Sequence, residues 1–167
     1  LFGLDMITYV YGKDANPEPF FHHELFHIYH SQFAEEGQGE GLISSLWGEG
    51  LATYVAQALN PGTGGVAIFG LPRNTPERVL ADLPALAKGI RAVLDSTESA
   101  DYRRYFIGLD EKAAVPSRSG YVIGYLVAKK LAKRHSLQEL AHTPVRVLRP
   151  EIDQALAELE AGAKVTL

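Results

Sequence analysis

The 167-residue chain contains no cysteine. That excludes a disulfide framework, a cysteine-ligated zinc finger and a thiol nucleophile. An excess of basic charge is missing too: 16 Lys+Arg against 20 Asp+Glu leave a formal net of −4. Such a chain carries no electrostatic footprint for nucleic acid. No apolar run approaches the roughly 18 residues that a membrane span requires; residues 120–128 are far too short. Internal repeats and low-complexity stretches are absent. The first residue is Leu1 rather than methionine, so a trimmed N-terminus is expected and the localisation is left unassigned. Length and an apolar fraction of 46% suit one core, and residues 1–167 are read as a single domain.

What the chain does have is histidine. Four of its six, His22, His23, His27 and His30, fall within nine residues. The spacing of Phe21, Leu25 and Ile28, and of Phe26, Tyr29 and Phe33, predicts a largely buried helix over 19–35. Gly37, Gly39 and Gly41 break it. A second helix is predicted over 44–60, stopped by Asn60-Pro61-Gly62. Others are expected over 76–94, with Thr75 as N-cap and Pro76 in the first turn, over 99–107, from Ser119 or Gly120 to 134, after Ser136 with Glu139 completing a capping box, and over 151–161. Strands are predicted over 6–11 and, more briefly, over 66–69. The fold class is mainly α, in the α+β sense: a compact helical domain with a small N-terminal β element.

His23-Glu24-Leu25-Phe26-His27 is an HExxH sequence on a predicted helix. Residues i and i+4 share a face, so both imidazoles can converge on one ion, and Zn²⁺ accepts nitrogen and oxygen ligands at about 2.0–2.2 Å. Glu24 lies about 100° further round the helix. From there it can take a proton from a zinc-bound water. His22 and His30 are read as supporting or packing residues.

Two histidines leave the site incomplete. The HExxHxxGxxH pattern fails, because His30 stands at the glycine position and Phe33 at the third histidine. A glutamate on the next helix is the remaining solution, and Glu49 supplies one between Gly48 and Gly50, with Ala52 and Thr53 nearby. Small residues there would let this helix come close to the histidine helix. Glu35, Glu36 and Glu40 remain as alternatives.

The HExxH sequence followed by Gly48-Glu49-Gly50-x-Ala52-x-Tyr54 resembles the gluzincin zinc metallopeptidases. Residues 47–54 look like the corresponding helix in the family of aminopeptidase N and leukotriene A4 hydrolase. The whole chain is closer to the compact predicted zinc-dependent proteases of the same clan. The resemblance covers mainly residues 20–60 and 117–134. In the second stretch, Tyr121-Val122-Ile123-Gly124 matches the spacing of a catalytic Tyr-x-Lys-Gly pattern, with Ile123 in the lysine position. A phenol there can donate to a developing oxyanion; the alternative is that Tyr121 and Tyr125 are core aromatics. Arg118 and Tyr125 are candidate substrate-binding residues, Arg118 for a carboxylate. Two departures stand out. No Gly-x-Met-Glu-Asn motif precedes HExxH, and Thr53 occupies the position where thermolysin-like enzymes carry an aspartate that orients a zinc histidine.

The expected activity is zinc-dependent hydrolysis of a peptide bond in a peptide or protein substrate. His23, His27 and Glu49 hold Zn²⁺, Glu24 is the general base and Tyr121 the oxyanion donor. Two rivals stand beside it. One is a binding or regulatory module whose zinc site is closed by a fourth ligand such as His30. The other is hydrolysis of a non-peptide substrate such as an epoxide.

Overall fold

The computed structural model describes residues 16–33, 41–70 and 72–167. Among them are nine helices and no strand: α1 (Glu18–His30), α2 (Leu42–Leu59), α3 (Gly65–Phe69), α4 (Thr75–Ala81), α5 (Leu83–Arg91), α6 (Ser99–Phe106), α7 (Ser119–Leu131), α8 (Leu137–His142) and α9 (Val145–Glu160). The chain is mainly helical. The strand expected over 6–11 lies outside the described residues, as do Glu35, Glu36 and Glu40. No described helix is long and apolar enough to cross a membrane.

Helix α2 is the axis of the fold. It packs most extensively on α7, then on α1, while α9 lies along α5. Leu46, Trp47, Leu51, Ala52 and Val55 bury different sides of α2, as expected of a helix with partners all round. Helix α7 is equally enclosed, with every residue from Val122 to Ala128 buried. The two helices touch through their backbones. A Cβ added to Gly50 would stand 2.2 Å from the carbonyl carbon of Gly124, and one added to Gly124 would stand 2.4 Å from the Leu46 carbonyl oxygen. Only a pair without side chains permits this approach.

Several element expectations need correction. Residues 66–69 form part of helix α3, not a strand: a four-residue apolar run has no decisive periodicity, and the Gly70 amide donates to the Val66 carbonyl at 2.9 Å. The helix expected over 76–94 is two helices. Pro84 cannot donate back into a continuous helix, and the chain turns at Asp82 before α5. Thr75 is the first residue of α4 rather than its N-cap, and its hydroxyl donates to the Ser117 carbonyl at 3.0 Å. The last helix begins at Val145, six residues before its expected start, and runs through Pro150. Its apolar stripe of Val145, Leu148, Ile152, Ala155, Leu156 and Leu159 keeps helical spacing across the proline, and packing of that stripe outweighs one missing backbone bond. Helix α1 ends at His30, earlier than expected. The capping box of Ser136 and Glu139 forms as read.

The start of α2 carries no side-chain cap. Its first amides are satisfied by the connection after α5: Leu42 donates to the Ser96 carbonyl at 2.9 Å and Ile43 to that of Leu94 at 2.8 Å. Gly41, with φ of 94°, lies against the Leu94 and Asp95 backbone and allows this seating.

Candidate metal centre

His23 and His27 project from successive turns of α1 towards Glu49 on α2. The Nε2 atoms of the two histidines are 3.0 Å apart. Glu49 Oε2 lies 3.2 Å from His23 Nε2 and 3.4 Å from His27 Nε2. A tetrahedral ion with bonds of about 2.0–2.2 Å spaces its ligand atoms about 3.3–3.6 Å apart, so this triangle is within a few tenths of an ångström of a ligand face. Hydrogen bonds alone do not account for it. His23 Nε2 cannot both donate to the carboxylate and accept from His27, and two protonated nitrogens at 3.0 Å would set their hydrogens against each other. A shared cation satisfies all three lone pairs together. The residues therefore fit a metal of the nitrogen- and oxygen-preferring kind, and they are a group among the described residues that could hold one.

Electrostatics agrees with the geometry. Burial works against the Glu49 charge, but the hydrogen bonds and charges of His23 and His27 outweigh it and hold the carboxyl down at about 2. Burial likewise opposes charge on His27; the bond to Glu49, and the Glu49 and Glu24 charges, raise it overall. Glu24 sits half-buried beside the cluster and pairs with no group among the described residues.

The other histidines brace α1 rather than join the cluster. His22 Nδ1 accepts from Asn60 Nδ2 at 2.8 Å, tying the start of α1 to the end of α2. Towards the other end of α1, Tyr29 Oη meets His142 Nε2 at 2.6 Å, and Phe33 stacks on the same His142 ring. His30 stacks on Phe26, with ring centroids 5.3 Å apart. Burial, then repulsion from His27 and His142, lowers its affinity for a proton. It stands outside the group of converging ligand atoms.

Tyr121 lies one turn before Gly124, so the α2–α7 backbone contact brings it towards Glu49. Its ring stacks on His23 with centroids 6.2 Å apart. Burial and then the Glu49 charge push its phenol up to about 12, against the opposing pull of Arg118. The hydroxyl is therefore a donor at neutral pH. Arg118 has left-handed backbone, φ 60°, and its guanidinium carbon lies 4.3 Å from the Tyr121 ring centroid.

Tyr125 is placed differently from its expected substrate-binding role. It is 0% exposed, packs edge-on against Phe69, and donates its hydroxyl to Gln57. No surface remains through which a substrate could meet it. Two further expectations change. Gly50 brings α2 against α7 rather than against α1, and a Cβ on Gly48 would meet nothing within 4 Å. Thr53, at the thermolysin-type aspartate position, donates to the Glu49 carbonyl at 2.7 Å and remains within its own helix. The Asn60–His22 bond leaves no local signal in the sequence, because it joins the ends of two helices 38 residues apart.

A family model matches residues 6–147. The chain belongs to that family, described as "Predicted Zn-dependent protease (DUF2268)". Its matched span includes both histidines, Glu49, Arg118 and Tyr121 of this family member. Neither a curated protein nor a solved structure matches the chain.

Proposed function

We propose that this chain is a gluzincin-type zinc peptidase, with His23, His27 and Glu49 as the metal ligands and Glu24 as the general base. The convergence of three lone-pair donors beside the Glu24 carboxylate, which has no partner among the described residues, carries the reading. When bound, zinc supplies Lewis acidity, polarising a carbonyl oxygen and lowering the pKa of water towards about 7.

The remaining work belongs to side chains. Glu24 takes the proton of the attacking water and passes it to the departing amide nitrogen. Tyr121, protonated and packed against His23, donates to the carbonyl oxygen as negative charge develops there. A cleft of about 310 Å³ lined by Ser45, Ser96, Ser99 and Tyr102 lies at the start of α2. The Ser96 hydroxyl is committed to Asp101, which leaves those of Ser45, Ser99 and Tyr102 for an extended peptide, the substrate class proposed here. The α2 segment around Glu49 then plays the part of the aminopeptidase N-type helix.

The test separates holding the metal from using it. Wild type and Glu24→Gln should purify with one zinc per chain, and His23→Ala with little. Peptide hydrolysis should fall by at least about 10²-fold in Glu24→Gln. It should fall by about 10²-fold in Tyr121→Phe, with KM little changed. Full activity in Glu24→Gln, or metal-free wild type prepared without chelator, refutes the assignment.

A further inference from the structure

Arg118 is a cation that the proposed reaction does not use. It is half-buried, and among the described residues it pairs with no carboxylate. Its place is nevertheless fixed. Left-handed backbone is costly for a residue with a Cβ, about 1 kcal/mol or more, and here it is held from both sides. The Thr75 hydroxyl grips the Ser117 carbonyl at 3.0 Å, and the Ser119 amide donates to the Pro116 carbonyl at 3.0 Å. The guanidinium lies over the Tyr121 ring on one side, and a Cβ on Gly70 would come within 3.8 Å of its Nη1. One donor is shared with the Tyr121 hydroxyl; the other N–H groups of the guanidinium fork suit binding of a carboxylate.

Distance then narrows the ligand. Through the Tyr121 ring, the guanidinium carbon is within about 11 Å of the His23 ring. A guanidinium–carboxylate contact takes up about 4 Å, and one or two residues of extended chain about 3.5–7 Å. We infer that Arg118 binds the C-terminal carboxylate of the substrate, so that cleavage falls one or two residues from the peptide's end. This rests on the peptidase reading and adds the substrate class to it: peptides with a free C-terminus.

The probe is a succinyl-hydroxamate dipeptide with a free C-terminal carboxylate, compared with its carboxamide twin. Both are titrated calorimetrically into zinc-loaded wild type, Arg118→Met and Arg118→Lys. Wild type should bind the carboxylate form about 10- to 100-fold more tightly, the range of a charge-assisted fork. Arg118→Met should bind the twins equally at unchanged zinc content, and Arg118→Lys should keep part of the preference. A merely structural role for Arg118 beneath Tyr121 would weaken both twins alike. Equal affinities in wild type, or no binding of either twin, overturn the inference. The peptidase reading fails separately, if zinc-loaded wild type cuts no peptide while the carboxylate preference persists.

Discussion

Helix α1 and the α2–α7 crossing contribute to the same cluster but are held in opposite ways. Within α1 only Pro19 and Phe26 are buried, and Leu25 and Ile28 are 59% and 60% exposed. The crossing is enclosed on all sides and closed by backbone contact at Gly50 and Gly124. Two of the three proposed ligands therefore ride on the more exposed element, whereas Glu49 and Tyr121 ride on the enclosed one. Local stability is expected to follow burial. A metal bound here would cross-link an exposed part of the molecule to an enclosed one.

The crossing can be broken most severely at its glycines. Gly50→Ala drives a Cβ into the Gly124 backbone and should cost about 3 kcal/mol or more, a large fraction of a domain's total stability. Gly48→Ala, on the same helix but facing open space, should be neutral or stabilising by up to about 1 kcal/mol. Thermal denaturation of the two variants reads the contrast; similar losses in both would refute the backbone-contact account.

The α1 side is probed by hydrogen exchange. Zinc should slow exchange of the α1 amides by about tenfold or more, a chelator should reverse this, and α2 and α7 should remain unchanged. Uniform slowing across all three helices would erase the distinction between the exposed and the enclosed parts.

The smallest effect is expected far from both. Arg91 of α5 holds Asp153 of α9 in a bidentate pair at 2.9 Å, and this lowers the Asp153 carboxyl below its ordinary 3.8. A depressed carboxyl contributes stability that is present above its unfolded value and lost as pH falls through the folded one. Asp153→Asn should slightly lower Tm at neutral pH and reduce the further loss below about pH 4, with zinc content unaltered. A change in zinc content would show that the α5–α9 pair is coupled to the site.

The grouping of His23, His27 and Glu49 was more legible in the sequence than the fold around it. His23 and His27 were legible because four residues of helix fix their relative direction. Glu49 was legible because glycines flank a carboxylate amid apolar neighbours. The partner of Gly50 was not legible, since a glycine records that something comes close without recording what. Tyr125 follows the core-aromatic alternative: it lies one turn after Tyr121, in the core beside Phe69 and Gln57. Thr75 carried an N-cap signature, but its hydroxyl serves a loop more than forty residues on. The break at Asp82 and the continuation through Pro150 show that one proline can end a helix or pass through another, according to the packing that each side offers.

The two braces on α1 have a mechanical consequence. With His22 fastened to Asn60 and Tyr29 to His142, the helix is tied near both ends, to the end of α2 on one side and to α8 on the other. Side-chain ties at two points resist both a shift of the helix and its rotation, and His23 and His27 lie between them. Asn60 and His142 thereby set the direction of both imidazoles without belonging to the cluster.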